Sequence, residues 1–315
     1  MAGSRLTTVI RTQGHTAALK DGSITPRGFG LDFIEVPVLV QAFRRMVRSL
    51  EFDVSEMAFT TYLCAKAQGV AMTALPVFLV RQLHHGAIVT AAGGGISSPG
   101  ELAGRTVGVN RGYTVTTGVW ARGILQDEHG LDLSQVTWAP TGDEHVTGYR
   151  PPPNVAPLPP GGDLADLVAS GELAAGVGIT AGRPGLAPLI PDPAAAGFAA
   201  LHERGLYPIN HLLVVRDELL AAHPDLAAEL FGAFAAAKRG YLDRLRRGEV
   251  TDPSPADLLY RQVLDKTGAD PLPYGIEPNR AMIELLVRHA VRQRILGVTV
   301  PAEALFHPGT SDLTG

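Results

Sequence analysis

One short segment decides the fold class, because it combines a buried strand with a polar end and leads directly into a helix. It reads Glu51-Phe52-Asp53-Val54-Ser55-Glu56-Met57. Its aromatic and β-branched residues predict the strand, and residues 60–68 predict the helix that follows. Ligands of α/β sheets bind at the carboxyl ends of strands, which makes Ser55 and Glu56 candidate site residues. Both can equally belong to the helix start, as a cap or an ion-pair partner.

The same alternation of strands and helices continues on both sides of this segment. Predicted strands cover residues 6–11, 31–36, 70–80, 87–90, 106–109, 176–180 and 212–215. Predicted helices cover residues 38–50, 114–125, 164–173, 224–245 and 278–296. Pro76 is expected to interrupt the strand at 70–80. This alternation predicts an α/β protein with mainly parallel sheets.

Two flexible crossings, near residues 90 and 205, divide the chain into two lobes. We expect residues 1–89 and 206–315 to form the first lobe and residues 90–205 to form the second. A ligand cleft is expected between the lobes, at the carboxyl ends of strands. The prolines between residues 150 and 162 predict an exposed loop, and residues 182–197 form a second irregular stretch.

The composition favours a folded protein that binds a small molecule. Of the 315 residues, 45% are hydrophobic and 18% are charged, which suits a packed core and excludes a disordered chain. Lysine and arginine number 27 against 31 acidic residues, for a net charge of -4. This balance, without runs of like charge, argues against nucleic acid or a membrane surface as the partner. The oligomeric state stays open, and a homo-oligomer is one of the alternatives.

Cysteine usage and the apolar runs bear on the cellular compartment. The single cysteine, Cys64, excludes an internal disulfide and suits a reducing compartment. Residues 1–20 contain no continuous apolar stretch of the kind found in export signals. The most apolar run, at 70–80, is much shorter than the ~20 residues that span a bilayer. We therefore expect a cytoplasmic protein.

Common cofactor and catalytic motifs do not occur in the sequence. It contains no GxxxxGK[ST], HExxH, GxSxG or strand-linked GxGxxG pattern. Its histidines have no spacing that is typical of a metal site. We expect neither a cofactor nor a metal.

The densest group of chemically active residues follows the predicted strand at 70–80. It reads Arg81-Gln82-Leu83-His84-His85. An arginine can bind a carboxylate through two hydrogen bonds, and a neighbouring imidazole can transfer a proton near neutral pH. A solvated turn with surface histidines is the alternative.

A second group opens the predicted helix at 114–125. Thr116 and Thr117 supply hydroxyls beside backbone amides that can bind an anion. Trp120 and Arg122 lie farther along the same helix. These two can face a ligand, or they can be packing and surface residues.

Two more candidates stand at the edges of predicted elements. His211 lies directly before a predicted strand, where a lone histidine is usually structural. Tyr274 lies in a proline-containing turn, where it can line a pocket or cap the following helix.

Several segments, in order from Leu6 to Phe306, together resemble the 4,5-dihydroxyphthalate decarboxylase family. The segments that carry the resemblance are residues 51–57, Pro76-Val77-Phe78 with Arg81 and His85, Thr116 with residues 120–125, Tyr207-Pro208-Ile209-Asn210-His211, Pro273-Tyr274-Gly275 with Asn279-Arg280, and residues 303–306. One departure is clear. Where the family has Arg-x-Phe-Arg-His-Ser, this chain has His84 and Gly86 in place of an arginine and a serine.

The resemblance implies the two-lobed fold of type II periplasmic binding proteins and a cofactor-independent decarboxylase of a hydroxylated aromatic or related unsaturated acid. It implies that Arg81 binds the carboxylate and that His85 delivers a proton, with His211 as its rival. Glu56 would act on the phenol or orient a histidine. Residues expected to contact the substrate are Ser55, His84, Thr116, Thr117, Trp120, Arg122 and Tyr274.

Two other functions remain open from the sequence. The same fold serves solute-binding proteins, so a non-catalytic protein that binds a small carboxylate is one alternative. Another lyase on this fold, such as a dehydratase, is the second. Product analysis separates these functions, because decarboxylation releases CO2, dehydration retains the carboxylate and binding alone gives no product.

Overall fold

The chain divides into two compact units in the computed structural model, which describes residues 4–159 and 161–315. Unit 1 comprises residues 1–82, 209–284 and 300–315, and unit 2 comprises residues 83–208 and 285–299. The lobe boundaries expected from the sequence were 89/90 and 205/206. The units instead change at 82/83 and 208/209, and unit 2 also takes a segment near the carboxyl terminus. Pro160, in the predicted proline-rich loop, lies outside the described residues.

Unit 1 contains a five-stranded sheet. Its strands are β1 (Ser4–Val9), β2 (Phe29–Phe33), β3 (Val54–Ala58), β4 (Met72–Arg81) and, later in the chain, β10 (Ile209–Arg216), in the order β2-β1-β3-β10-β4. β1 runs parallel to β2 and β3, whereas β10 runs antiparallel to β3 and β4. β1, β3 and β4 therefore end at one edge of the sheet, and β10 begins there.

Unit 2 contains a second five-stranded sheet. Its strands are β5 (Ile88–Ala91), β6 (Thr106–Val109), β7 (Thr137–Pro140), β8 (Ala175–Val177) and β9 (Leu186–Pro188), in the order β7-β6-β8-β5-β9. β6 is parallel to β7 and β8, and β5 is antiparallel to β8 and β9. A small core of Val89, Leu164, Val168 and Leu173 packs beside this sheet.

Ten α-helices accompany the sheets in the described part of the chain. They are α1 (Ala17–Lys20), α2 (Leu39–Ser49), α3 (Phe59–Ala67), α4 (Thr116–His129), α5 (Leu164–Ala169), α6 (Pro193–Arg204), α7 (Asp217–Ala222), α8 (Leu226–Arg246), α9 (Pro255–Thr267) and α10 (Arg280–Arg292). None of these helices is long and apolar enough to cross a bilayer.

The local sequence explains why several of these helices form. The apolar residues of α2 recur at helical spacing, and they are buried: Leu39, Ala42, Phe43, Met46 and Val47. α9 begins with a capping box between Ser254 and Asp257, has Pro255 in its first turn, and ends at Gly268 with a φ of 67°. No helix was predicted at α9, although the capping box is visible in the sequence.

The predicted α/β class is confirmed, but the expectation of mainly parallel sheets is wrong. Each sheet is mixed, because β10 and β5 run against their neighbours. Both strands follow the points where the chain passes from one unit to the other. Parallel neighbours in a sheet are usually connected by a helical crossover within that sheet. A strand that enters from the other unit has no such crossover, so its direction is not restricted to parallel.

Pro76 does not interrupt β4, contrary to the prediction. β4 is an edge strand, and its pairing with β10 shifts register between Leu75 and Phe78. A proline is tolerated at such an irregularity because no regular ladder bond requires its missing N–H. The irregular stretch predicted at 182–197 also contains more structure than expected, since it includes β9 and the start of α6.

The turn at Gly275 generates a prediction about stability. Gly275 has a φ of 105°, and a Cβ at this position would lie 2.5 Å from the carbonyl oxygen of Leu313. Its N–H donates to the carbonyl of Pro76 at 2.8 Å, which joins this turn to β4. We expect Gly275→Ala to lower the free energy of unfolding by about 2 kcal/mol or more, from backbone strain and the collision with backbone. Chemical denaturation measures this loss.

Gly232→Ala is the matched control for this experiment. Gly232 lies within α8, and an added Cβ there meets no atom within 4 Å. Alanine is the better helix former, so this variant should be as stable as the parent or more stable by up to about 1 kcal/mol. Equal effects of the two substitutions would contradict the role assigned to the Gly275 turn.

Candidate active site

The shared strand edge of unit 1 brings together residues that are far apart in the sequence. Arg11 lies two residues beyond β1, Glu56 is the central residue of the five-residue strand β3, and Arg81 is the last residue of β4. His211 is near the start of β10, which begins at the same edge. This edge is where open α/β sheets bind ligands.

Glu56 and His211 form a direct pair across two central strands. The Nδ1 atom of His211 lies 2.6 Å from Oε1 of Glu56. Glu56 is opposite Leu213 in the ladder, so His211, two residues away on the same strand, projects from the same face. The Glu56 side chain is fully buried, whereas that of His211 is 16% exposed.

The second oxygen of the Glu56 carboxylate is also occupied. The backbone N–H of Arg11 donates to Oε2 at 2.8 Å. Burial raises the pKa of Glu56, but the hydrogen bonds and positive charge of His211 and Arg11 outweigh it and leave the pKa below its usual value. Glu56 is therefore an ionised acceptor, so the Nδ1 atom of His211 must carry the shared proton. The Nε2 atom of His211 is left for exchange with a ligand.

The ring of His211 is also held by packing. Phe43 of α2 meets it edge to face, with ring centroids 5.1 Å apart and an interplanar angle of 88°. The orientation of the imidazole is thus fixed from two sides, by Glu56 and by Phe43.

A cavity of about 760 Å³ opens beside this edge within unit 1. Arg11 and Arg81 line it from the sheet side, and Tyr241 and Arg244 line it from α8. The segment 249–257, between α8 and α9, closes another side. Such a cavity is large enough for a single-ring aromatic acid.

Arg81 is positioned by residues that the resemblance had also marked. Its guanidinium donates to Oδ1 of Asn279, whose Nδ2 in turn donates to the carbonyls of Pro273 and Gly275 at 2.9 and 2.7 Å. The backbone N–H of Arg81 points to the hydroxyl of Tyr260 at 3.5 Å. The arginine is 4% exposed and still lines the cavity, so its position is set before any ligand binds.

His15 is a buried histidine that the sequence analysis did not identify. Its ring lies between Tyr241 and Tyr260, with centroid distances of 5.9 and 6.3 Å. Burial lowers the pKa of His15 to about 4, although the negative charges of Glu56 and Asp257 oppose the shift. The imidazole is therefore neutral at physiological pH. No motif surrounds His15 in the sequence, and only its proximity to Glu56 reveals it.

The buried state of His15 predicts a loss of stability in acid. A histidine with a pKa of about 4 in the folded state and 6.5 in the unfolded state stabilises the fold fully above pH 6.5. This contribution falls as the pH drops from 6.5 towards 4. Between about pH 7.5 and about pH 5 it should lower the free energy of unfolding by about 2 kcal/mol. Chemical denaturation at the two pH values measures the change.

A non-titrating variant separates His15 from the other acid-sensitive groups. His15→Gln should reduce the difference in unfolding free energy between the two pH values, whatever its effect on absolute stability. His202→Gln removes an exposed histidine and should leave that difference unchanged. If His15→Gln keeps the full pH dependence, the buried neutral state assigned to His15 is wrong.

In unit 2 the structure pairs His85 with an acid that was not predicted. The Nε2 atom of His85 lies 3.1 Å from Glu128, whose carboxylate also binds Arg204 at 2.6 Å. Burial raises the pKa of Glu128, but His85 and Arg204 outweigh it and hold the pKa below its usual value. His85 is 1% exposed, and neighbouring His84 is equally buried. Neither is a surface histidine, so the alternative of a solvated turn is wrong.

The start of α4 already holds a carboxylate from the chain itself. Glu144 accepts hydrogen bonds from the backbone N–H groups of Tyr113 and Thr114, at 2.5 and 3.1 Å, and from the Thr114 hydroxyl at 2.5 Å. Thr116 is buried, and Thr117 is half-buried at the first turn. Part of the anion site expected at this helix start is thus occupied by Glu144.

The remaining candidates are buried within their units. The guanidinium of Arg122 donates to the Gln293 side chain at 2.8 Å and to the Tyr113 carbonyl at 2.6 Å. It also lies 3.9 Å from the centroid of the Tyr113 ring. This geometry favours the packing interpretation of Arg122.

Trp120, Tyr274 and Ser55 are similarly enclosed. Trp120 packs edge to face against His289, at a centroid distance of 5.5 Å. Tyr274 is fully buried beneath the ammonium of Lys238, which is 4.7 Å from its ring centroid. The hydroxyl of Ser55 donates to the carbonyl of Glu56 at 2.7 Å. Their contacts with substrate stay predictions, and their packing role is what the structure describes.

Within residues 4–159 and 161–315, no cluster of three or more histidine, cysteine, aspartate or glutamate side chains is arranged to hold a metal ion.

The sequence is similar to characterised decarboxylases, whereas no family model matches it. It is 32% identical over 291 residues to 4,5-dihydroxyphthalate decarboxylase of Comamonas testosteroni, an alignment that covers 86% of each chain. It is 33% identical over 171 residues to 4,5-dihydroxyphthalate decarboxylase of Pseudomonas putida, covering 50% of this chain and 66% of the relative.

Solved structures with a similar fold include enzymes and binding proteins. The desulfurization enzyme DszB superposes with a TM-score of 0.57 at 18% identity, over 96% of both chains. The aliphatic sulphonate binding protein SsuA of Escherichia coli superposes with a TM-score of 0.54 at 13% identity, over 98% of this chain and 92% of that one. These similarities confirm the predicted periplasmic-binding-protein-like fold.

Proposed function

This chain belongs to the 4,5-dihydroxyphthalate decarboxylase family and is a carboxy-lyase, and we propose that it removes CO2 from a hydroxylated aromatic carboxylic acid at the strand edge of unit 1. The observation that carries the proposal is the Glu56–His211 pair, which lies at the same edge as Arg81. An acid of the dihydroxyphthalate type, named by the relatives, is the substrate class we expect.

Decarboxylation of a hydroxylated ring requires one proton and a group that accepts the electron pair of the broken carbon–carbon bond. A hydroxyl ortho or para to the carboxylate lets the ring accept a proton at the carbon that bears the carboxylate, which gives a ketone-like intermediate. The bond between the ring and the carboxylate then breaks and CO2 leaves. The electron pair of that bond returns to the ring, and the oxygen takes back the proton that the phenol released when the ketone-like intermediate formed, which restores the phenol. The protein must therefore bind a carboxylate and deliver a proton to the ring.

Arg81 is suited to hold the substrate carboxylate. Its guanidinium can form two charge-assisted hydrogen bonds with a carboxylate, and Asn279 restricts its motion before binding. Little ordering is then required when the acid binds, which favours affinity and alignment.

We assign proton delivery to His211 rather than to His85. Glu56 fixes the Nδ1 proton of His211, and the partly exposed side chain leaves Nε2 for transfer to the ring. His85 is almost fully buried, and its Nε2 atom is already engaged by Glu128. These contacts support His211 as the donor and leave His85 a structural role.

Glu56 then acts as the residue that orients His211. Its side chain is fully buried and both of its carboxylate oxygens accept hydrogen bonds from protein groups, so a substrate phenol does not reach it. Its negative charge stabilises the doubly protonated imidazole that donates to the ring. Glu56 is therefore a positioning residue rather than a catalytic acid or base.

Variants of the two histidines test these roles. His211→Ala should lower kcat for CO2 release by about 10²- to 10⁴-fold, the range typical of a lost general acid. Glu56→Gln should lower kcat less than this, because it changes the orientation of the imidazole without removing it. His85→Ala should retain most of kcat, provided that its unfolding transition shows a folded protein. Full activity of His211→Ala with loss of activity in His85→Ala would reverse the assignment.

Isotope incorporation tests the reaction itself. In D2O, each molecule of product should carry one deuterium at the ring carbon that lost CO2, which mass spectrometry detects. The acids to compare are hydroxylated benzoates and dihydroxyphthalates. Stabilisation by these acids without release of CO2 would contradict decarboxylation of this class and favour binding alone.

A further inference from the structure

We propose that Arg11 determines substrate specificity by binding the second carboxylate of an aromatic dicarboxylate, the one that is retained in the product. This inference rests on the proposed function, because it assumes that Arg81 holds the carboxylate that is lost. It concerns a residue that neither the motifs nor the resemblance identified.

The position of Arg11 in unit 1 suits this role. Arg11 and Arg81 both line the cavity in unit 1. They follow β1 and end β4, and the two strands between them, β3 and β10, carry Glu56 and His211. Three strand spacings, about 14 Å, separate β1 from β4. An aromatic ring between the two long side chains would have an anion-binding group on either side.

The backbone of Arg11 is held in place by Glu56. Its N–H donates to Glu56 at 2.8 Å, and this contact ties the loop after β1 to the buried pair. The residue as a whole is exposed, so the side chain remains accessible while the backbone is fixed. Because the backbone is already fixed, the guanidinium can bind a second carboxylate with less loss of conformational entropy.

The charge of the Arg11 side chain also suits a carboxylate ligand. In the described part of the chain the Arg11 guanidinium has no ion-pair partner. Three acidic residues line the same cavity. Asp257 accepts from Tyr241 at 2.5 Å and caps α9, and Glu249 binds Arg247 at 2.7 Å, whereas Asp252 forms no ion pair with Arg11 or with another described residue. Arg11 therefore presents an uncommitted permanent cation to the cavity.

One other role for the Arg11 side chain must be separated from this one. Its positive charge helps to keep the pKa of Glu56 low. Loss of that effect would disturb the Glu56–His211 pair for every substrate. Loss of a carboxylate contact would affect dicarboxylates alone, so a comparison of mono- and dicarboxylates distinguishes the two roles.

Calorimetric titration with acids that cannot react provides the test. The probes are benzoate and the three benzenedicarboxylates, phthalate, isophthalate and terephthalate, which lack the hydroxyl that decarboxylation requires. For the parent protein, we expect at least one dicarboxylate to bind at least tenfold more tightly than benzoate. Arg11→Gln, which keeps the backbone N–H, should abolish this preference and change the Kd of benzoate less than twofold. Arg11→Lys should keep part of the preference, since it retains the charge without the planar fork.

Arg244→Gln is the matched control, because Arg244 is the third arginine that lines the same cavity and lies on α8. It should leave the preference for the dicarboxylate in place. An equal loss in Arg244→Gln would mean that the general charge of the cavity is responsible, and it would overturn the specific role of Arg11.

Three further results would also overturn the inference. They are the absence of any preference in the parent protein, an unchanged preference in Arg11→Gln, and an equal loss of affinity for benzoate and dicarboxylate in that variant. Because the probes are not turned over, these results are independent of catalysis. Failure of the proposed function would instead be seen as absence of CO2 release from hydroxylated acids, whatever the titrations show.

Discussion

The buried carboxylate of Glu56 is the constraint on which the centre of unit 1 depends. An unpaired carboxylate in a protein interior costs several kcal/mol or takes up a proton. Glu56 avoids both outcomes because one oxygen binds His211 and the other binds the Arg11 N–H. These partners come from β10 and from the loop after β1. A one-residue slip between β3 and β10 would turn Glu56 away from His211, so the strand register is part of the site.

The same contacts link stability to chemistry. The hydrogen bond that satisfies Glu56 also fixes the tautomer of His211, so neither side chain can change without affecting both properties. Arg11 differs, because its backbone N–H serves Glu56 whereas its guanidinium lines the cavity. The hydrogen bond to Glu56 and the proposed contact with a ligand therefore reside in different atoms of Arg11. A neutral substitution of the side chain would keep that hydrogen bond and would remove the positive charge that helps to lower the pKa of Glu56.

The sequence predicted those helices and strands whose pattern is formed by residues close together in the chain. The spacing of apolar residues in α2 and the alternation at β6 depend on neighbours in the chain, and both elements formed close to the predicted bounds. The direction of β10 could not be predicted in this way, since it depends on pairing with β3 and β4, more than a hundred residues earlier. β9 was missed because three residues in a glycine- and proline-rich stretch give no periodic signal.

In the candidate site, too, contacts between residues far apart in the sequence decide what a side chain does. Arg81 directly follows a predicted strand and Arg122 lies in a predicted helix, and no property of the residue type separates them. Long-range partners do: Gln293 and the Tyr113 carbonyl hold Arg122 in a core, whereas Arg81 lines a cavity. Position is the more informative signal. The rule that ligands bind at the carboxyl ends of strands selected Glu56 and Arg81, and its application to the run at 6–11 would have selected Arg11 as well. A residue with no motif around it becomes a candidate once the strand before it is recognised.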